Sequence, residues 1–128
     1  MLNPFMTTLA VIALSAVAFM ACSYPSNADR VVSSLNFSPS AFDSFKRNTE
    51  LRYTLRRSAR VSAIIVRRDS GEVLVKSLFS NLAETSGSHA HTWLGDNNGG
   101  QFVHAGQYVA VLTVDNERSE ATVTVFHF

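Results

Sequence analysis

The sequence has little of the chemistry that would stabilise or activate a small protein by means other than packing. Its 128 residues include one cysteine, three prolines and six glycines. A single cysteine excludes a disulfide within the chain, so the fold must rest on one hydrophobic core. The net charge of +1 comes from 11 Lys and Arg residues against 10 Asp and Glu residues. This is not the strongly basic balance of a dedicated nucleic-acid-binding protein, so we expect no nucleic-acid partner.

Motifs of known catalytic machinery are also missing. The serines lack a G-x-S-x-G elbow, and neither a phosphate-binding glycine loop nor a cysteine downstream of Cys22 is present. Of the four histidines, His89 and His91 stand two apart and would point to one side of a strand. Such a pair can hold Zn²⁺ only if a third ligand converges, and the sequence does not identify one. We predict a non-enzymatic protein without a cofactor or metal, and keep a metal-dependent hydrolase that uses this pair as a third hypothesis.

The longest apolar run lies at the amino terminus. Residues 1–21 carry no charge, and residues 9–21 (LAVIALSAVAFMA) have the length of the core of a secretory signal. The run is short for a membrane-spanning helix. It ends just before Cys22, and the polar, turn-rich segment SYPSNADR follows. This arrangement resembles a bacterial lipoprotein signal, in which the cysteine becomes the lipidated first residue of the mature protein.

The resemblance implies a signal peptide at residues 1–21, lipidation at Cys22 and a tether at residues 22–34. Ser23, rather than Asp, follows the cysteine, which resembles the pattern of outer-membrane lipoproteins. We therefore expect an exported protein held at the outer membrane or cell surface by its acyl chains. Two alternatives stay open: ordinary cleavage near Ala21, which gives a secreted or periplasmic protein, and an uncleaved N-terminal anchor.

Beyond the tether, apolar residues recur at every second position, which is the period of a β-strand. Tyr53 lies within such an alternating run, and the run of residues 108–114 begins with Tyr108. About seven strands are predicted, at residues 35–38, 51–56, 61–66, 73–78, 89–93, 108–114 and 121–126. This number and spacing predict an all-β, antiparallel sandwich of the immunoglobulin or fibronectin type over residues 35–128. Tyr53, Trp93 and Tyr108 are the expected large core side chains.

A series of short motifs, taken in order, resembles the immunoglobulin-like domain of the flagellar hook-capping protein FlgD, a domain found widely in secreted and surface proteins. The motifs are Phe37-Ser38-Pro39, Leu51-Arg52-Tyr53-Thr54-Leu55, Ala59-Arg60-Val61, Asp69-Ser70-Gly71-Glu72-Val73, Gly87-Ser88-His89, Trp93-Leu94-Gly95, Asn98-Gly99-Gly100 and Gly106-Gln107-Tyr108. The FlgD-type resemblance implies a non-catalytic scaffold or interaction domain. Leu94 and His91 depart from the family, which has Asp and an apolar residue there. An export signal is foreign to the flagellar protein, so we expect no hook-cap role.

One candidate binding surface is apolar. Ile64 and Val66 share the outward side of one predicted strand, and Val109 and Val111 share that of another. An exposed apolar face of this kind would suit another envelope or surface protein as the partner. Strands buried on both faces, or tucked under loops, would produce the same pattern. Our leading hypothesis is a membrane-anchored module that binds a protein through this face.

The second candidate surface is basic. Residues 22–76 carry ten Lys and Arg residues against five Asp and Glu residues. A solvated face explains such an excess, and so does a patch that meets anionic lipid or polysaccharide. The candidate residues are Arg52, Arg56, Arg57, Arg67 and Arg68. Together with exposed aromatic rings they support the alternative hypothesis of a carbohydrate- or peptidoglycan-binding module.

Overall fold

The computed structural model of the chain describes residues 30–69 and 71–127. Cys22, the proposed signal segment and most of the proposed tether lie outside these residues. The described part contains eight β-strands and no helix. It therefore has no helix long and apolar enough to cross a membrane. The strands are β1 (Val32–Ser38), β2 (Ala41–Asp43), β3 (Thr49–Leu55), β4 (Ala59–Arg67), β5 (Val73–Glu84), β6 (Gly87–Trp93), β7 (Gly106–Val114) and β8 (Glu117–Phe126).

The strands form two sheets, in the orders β1-β3-β6 and β2-β8-β7-β4-β5. All neighbours are antiparallel except β2, which runs parallel to β8. The alternation of apolar and polar residues accounts for this arrangement, because each strand has one face to bury. On β3, for example, Leu51, Tyr53 and Leu55 are buried while Arg52 is exposed. The prediction of an all-β fold with a sandwich-like pair of sheets is confirmed.

The core lies between the two sheets. Trp93, Tyr53 and Tyr108 are each 1–2% exposed, as expected for its large fillers. The Trp93 ring on β6 meets the Tyr108 ring on β7 edge-on, with centroids 5.7 Å apart. It meets Phe42 on β2 in the same way at 5.8 Å. Because β6 belongs to one sheet and β2 and β7 to the other, these ring contacts join the two layers.

The structure differs from the predicted strands chiefly in four places, one of which is the start of β8, at Glu117 rather than at Ala121. Strand β2 was not expected, because three residues are too few to show a period. Strand β1 begins at Val32 rather than at Leu35, and Val31 and Val32 are buried in the core instead of continuing a solvated tether. Strand β5 continues to Glu84, six residues past the predicted end, with irregular pairing to β4 and a positive φ at Asn81. These irregularities blur the two-residue period of the sequence there.

The strand register defines two ends of the domain. At one end, here called the basal end, the chain enters at Val31, beside the turns β3–β4, β5–β6 and β7–β8. The backbone N–H groups of Val31 and Val32 donate to the two carboxylate oxygens of Glu117 at 2.8 Å each. At the other end, the distal end, lie the segments 39–48, 67–72 and 94–105. Seven-residue strands such as β3 separate the two ends by roughly 20 Å.

Candidate functional site

Within residues 30–69 and 71–127, the large apolar side chains that stay exposed all lie at the distal end. Five are between 41% and 56% exposed: Phe45, Val73, Leu74, Leu94 and Phe102. Phe45 follows β2, Leu94 and Phe102 belong to the loop between β6 and β7, and Val73 and Leu74 begin β5. We call these five residues the distal cluster. Single exposed apolar residues need no explanation, but a group at one end of a domain marks a candidate contact surface.

The aromatic members of the distal cluster touch each other. The Phe45 and Phe102 rings meet edge-on, with centroids 5.1 Å apart. The His127 ring stacks on Phe45 at 4.1 Å. On its other side, Phe102 lines a shallow cleft of about 250 Å³ together with Val73 and Leu74. Four of the five members, Phe45, Phe102, Val73 and Leu74, therefore form a continuous surface across several segments.

Hydrogen bonds hold the loop that carries Phe45. The Asp43 carboxylate, 5% exposed, accepts a hydrogen bond from the Phe45 N–H at 3.0 Å. The Asp43 carbonyl accepts from the backbone N–H groups of Lys46 and Arg47 at 3.0 and 2.8 Å. Side chain and backbone together thus form a tight turn at the end of β2. Phe45 is exposed by this turn, not by a loose loop.

The loop from residue 94 to residue 105 packs against the same turn. Gly95 has a φ of +79°, and a Cβ added there would lie 2.4 Å from the Ser44 Cβ and 3.3 Å from the Phe42 ring. Only glycine fits both the backbone conformation and the contact. The Asn97 side chain accepts from the N–H groups of Gly99 and Gln101, at 2.9 and 3.0 Å. The side-chain oxygen of Asn97 thus binds the backbone of its own turn, whereas that of Asn98 accepts from the Ser77 N–H on β5 at 2.9 Å.

Positive charge borders the aromatic rings. Lys46 and Arg47 are exposed beside Phe45, and the Lys46 Nζ lies 3.9 Å from a carboxylate oxygen of Asp43. That carboxylate is buried, so the charges presented to solvent next to Phe45 are both positive. Aromatic rings next to arginine are characteristic of the centres of protein interfaces.

The outer face of β4 and β7, predicted as an exposed apolar contact surface, is largely covered. Val66 and Val111 are only 1% and 3% exposed, and Ile64 and Val109 are half-buried. Neither Val66 nor Val111 belongs to the cluster of buried residues between the sheets. The sequence-based expectation of an open apolar face is therefore wrong for half of its residues.

A network of four charged side chains crosses this face. Arg68, just past β4, donates two hydrogen bonds to Glu120 on β8, at 2.8 and 2.6 Å. Strand β7 lies between β4 and β8, so the pair spans β7 on its outer side. Arg118 joins Glu120 at 3.2 Å and Glu72 at 3.1 Å. Val66 stands two residues before Arg68, and Val111 is the register partner of Glu120, so both valines lie beside this network, in which every charge is paired.

The network shifts the pKa of the Glu120 carboxylate. The hydrogen bonds from Arg68, aided by the charge of that guanidinium and by Arg118, lower the pKa of Glu120 to about 2. Burial of the carboxylate opposes this shift but is weaker. Glu120 therefore stays ionised through any ordinary pH, and the covering network keeps its form.

The five arginines predicted as a basic patch are not brought together. Arg52 lies on the outer face of the three-stranded sheet and binds Glu50 at 2.7 Å. Arg56 and Arg57 lie at the basal end, where Arg57 pairs with Asp115 at 3.2 Å. The other two, at the distal end of β4, pair with Asp69 and with the network described above. Four of the five guanidiniums thus meet a carboxylate, and no single basic surface forms from them.

The two histidines of β6 point toward one carboxylate, that of Glu84. The His91 Nε2 lies 2.8 Å from one Glu84 oxygen, and the His89 Nδ1 lies 3.4 Å from the other. The Tyr53 hydroxyl donates to Glu84 at 2.5 Å. In residues 30–69 and 71–127, no group of three His, Cys, Asp or Glu side chains is arranged to hold a metal ion. The sequence showed the spacing of the histidines but not their partner, which comes from the other sheet.

Burial and hydrogen bonding shift the pKa values of Tyr53 and Glu84. Burial first, and then the neighbouring Glu84 carboxylate, raise the pKa of the Tyr53 phenol. Burial alone would raise the pKa of Glu84 as well. The hydrogen bonds from Tyr53 and His91, with the charges of the two imidazoles, outweigh burial and leave that pKa below its usual value. Glu84 is accordingly an anion that accepts hydrogen bonds, and not a proton donor.

Comparisons with known proteins identify no family for this chain. No protein-family model and no curated protein matches it. Among solved structures, a similar chain is the Pseudomonas fluorescens alkylpurine DNA glycosylase AlkC, bound to DNA containing an abasic site analog. The two chains share 16% identity and a TM-score of 0.45, over 72% of this chain and 29% of that one. A similarity this weak supports no statement about activity.

Proposed function

We propose that this chain is an exported envelope protein, anchored by lipid at Cys22, whose immunoglobulin-like domain is a non-catalytic module for protein interaction. The observation that carries the proposal is the grouping of all five large exposed apolar side chains at the distal end. The chain enters the domain at Val31, on the basal end. The distal cluster therefore lies at the end of the domain opposite to this entry point.

Two features support an immunoglobulin-like domain. Successive strands pass repeatedly between the sheets of three and five strands, as in Greek-key sandwiches. In addition, the Tyr108 hydroxyl, near the start of β7, donates to the His104 carbonyl at 2.7 Å. A tyrosine whose hydroxyl binds the backbone a few residues upstream at this corner is a hallmark of immunoglobulin-type sandwiches. The FlgD-type resemblance is part of the proposal and rests on the motifs given above.

The anchor is tested by the intact mass of the protein purified from the native membrane fraction. Lipidation predicts the mass of residues 22–128 plus a diacylglyceryl group and a further acyl chain. An unmodified mature chain in the soluble fraction would contradict the anchor and favour a secreted or periplasmic module. A Cys22→Ser variant should move from the membrane fraction to the soluble fraction.

The contact surface is tested by placing charge in the distal cluster. The double variant Phe45→Asp, Phe102→Asp should keep its melting temperature within a few degrees, because both side chains are exposed. It should also lose the crosslinked species that the native protein forms in its own membrane. The matched control is Thr113→Asp, an exposed residue on β7 away from the cluster. Equal crosslinking by all three proteins would contradict the proposed surface.

A carbohydrate- or peptidoglycan-binding module is the second candidate, favoured by the outer face of the three-stranded sheet. A shallow cleft of about 420 Å³ there is lined by the polar residues Ser34, Asn36, Arg52, Thr54 and Ser88. The hydroxyls of Ser34, Thr54 and Ser88 lie in a row, with successive oxygens 3.1 and 3.3 Å apart. Retention of the purified protein on peptidoglycan at low salt, lost in Arg52→Ala, would support this candidate. Absence of retention would remove it.

A further inference from the structure

The turn that follows β2 carries a positive charge without a carboxylate partner. Cations elsewhere at the distal end are paired: Arg67 meets Asp69 at 3.0 Å, and the Lys76 Nζ lies 3.0 Å from Asp96. Arg47, by contrast, is exposed, and no carboxylate in the described part of the chain lies within ion-pair distance of its guanidinium. This guanidinium is free to pair with a carboxylate of another molecule.

Lys46, the other cation of this turn, faces a buried carboxylate. Its Nζ lies 3.9 Å from the Oδ2 atom of Asp43, whose side chain is 6% exposed. Within the described residues, this Oδ2 accepts no hydrogen bond. Lys46 thus offsets the charge of Asp43, and Arg47 gives the turn a net positive charge.

A pocket of about 350 Å³ adjoins the two cations. It is lined by both of them, by Asp43 and by four apolar residues, which are Pro39, Ala41, Phe42 and Phe126. Asp43 on β2 and Phe126 on β8 are register partners, so the pocket lies where these two strands end. Pockets for small molecules measure roughly 300–1,000 Å³, and one at the lower end of this range suits a single side chain.

The pocket lies next to the distal cluster. Phe45 belongs to the same turn as the two cations, and its ring stacks on His127, the residue after Phe126. An extended segment that crosses the Phe45 ring can therefore reach both the pocket and Arg47. The surface combines exposed aromatic area, an apolar recess and one uncompensated guanidinium within a few residues.

We propose that this turn and its pocket receive an acidic, apolar segment of a partner protein. An apolar side chain of the segment enters the pocket, and a carboxylate next to it pairs with Arg47. The inference rests on the proposed function, because it names the chemistry of the partner that the distal cluster contacts. An anionic membrane fits less well, since such surfaces attract clusters of about 4–8 Lys and Arg residues, whereas Asp43 offsets one of the two cations here.

The test is an NMR titration of the nitrogen-15-labelled full chain in detergent with a short peptide in which glutamate and leucine alternate. At low salt, the amide signals of Phe45, Lys46 and Arg47 should shift, and the same peptide with lysine for glutamate should bind about tenfold more weakly. Arg47→Glu should weaken binding of the acidic peptide about tenfold. Arg56→Glu, the matched control at an exposed basal arginine, should bind as the native chain does. Equal binding of the two peptides, or by Arg47→Glu and the native chain, would overturn the proposal.

A second variant closes the pocket, keeps every charge and covers the case in which Arg47→Glu does not fold. Ala41→Trp adds a large side chain at an exposed position of the lining, so it should keep the melting temperature. It should weaken binding of the acidic peptide about tenfold. Unchanged binding would show that the pocket takes no side chain, which contradicts the proposal. Binding of phosphatidylglycerol vesicles without binding of the acidic peptide would also contradict it, in favour of a membrane.

Crosslinking in the native membrane separates this inference from the proposed function. If the native protein and Arg47→Glu form the crosslinked species equally, the acidic partner is wrong while the distal contact surface stands. If the native protein forms none, the proposed function fails. The peptide titration then still decides whether the turn binds an acidic segment.

Discussion

Apolar side chains lie outside the core in two regions, the outer face of the five-stranded sheet and the distal loops. On the sheet face, Val66 and Val111 are almost without exposure, and the network of Arg68 and Arg118 with its carboxylates lies beside them. At the distal end Phe102 stays 54% exposed, although its bridge partner Asp96 pairs with Lys76 at 3.0 Å. The same kind of side chain is therefore shielded by the chain itself in one place and left for solvent or a partner in the other.

The difference follows from local geometry. On a sheet, residues of neighbouring strands stand about 5 Å apart, so a long arginine can cover a valine and still reach a carboxylate two strands away. In the distal loops two polar side chains, those of Asp43 and Asn97, bind the backbone of their own turns. The aromatic rings are then left on the outside. Apolar residues in rigid loops are thus better candidates for contact than apolar residues on a sheet face.

The largest effect expected comes from disturbing the support of the distal cluster. Gly95→Ala should destabilise the domain by about 3 kcal/mol, because the added Cβ meets Ser44 and φ is positive. Gly100→Ala is the matched control: its φ is also positive, but nothing lies within 4 Å, so about 1 kcal/mol is expected. Urea unfolding checks both values. Equal losses would show that the packing of Gly95 does not hold the loop.

The contrast between the covered sheet face and the exposed distal cluster is tested by truncating one residue in each region. Val66→Ala should cost about 2 kcal/mol, because it removes buried methyl groups. Phe102→Ala, although it removes a larger side chain, should change the unfolding free energy by about 0.5 kcal/mol or less. Urea unfolding of the two variants in the same buffer gives the answer. A larger loss for Phe102→Ala would mean that the distal cluster is part of the core.

A smaller effect is expected from the charged network, and it depends on pH. Because the pKa of Glu120 is lowered from 4.5 to about 2, the carboxylate stabilises the fold above pH 4.5, and this contribution is lost as the pH falls through 2. Glu120 is partly exposed, so solvent screening limits the effect to about 1 kcal/mol. Glu120→Gln should remove this difference and increase the binding of an apolar dye to the sheet face. Identical acid unfolding curves for the two proteins would exclude a role for the network.

Much of the fold could be predicted from the sequence, because the alternation of apolar and polar residues depends only on neighbouring positions in the chain. The runs around Leu51 and Val111 predicted strands of the right class. The site could not be predicted in the same way, since its contacts join distant residues: 31 positions separate Tyr53 from Glu84, and 52 separate Arg68 from Glu120. The exposure of Phe45 follows from a turn that no periodicity indicates.

The most direct test of the distal cluster as the contact surface is site-specific photocrosslinking in cells that express the protein in its native envelope. A photoreactive residue is placed at Phe102 in the distal cluster and, in a second protein, at Ile64 on the covered sheet face. We expect a discrete crosslinked protein from position 102 that is absent from position 64, and that disappears when Phe45→Asp is added. Crosslinking from position 64 alone, or from neither position, would contradict the assignment of the distal cluster as the contact surface.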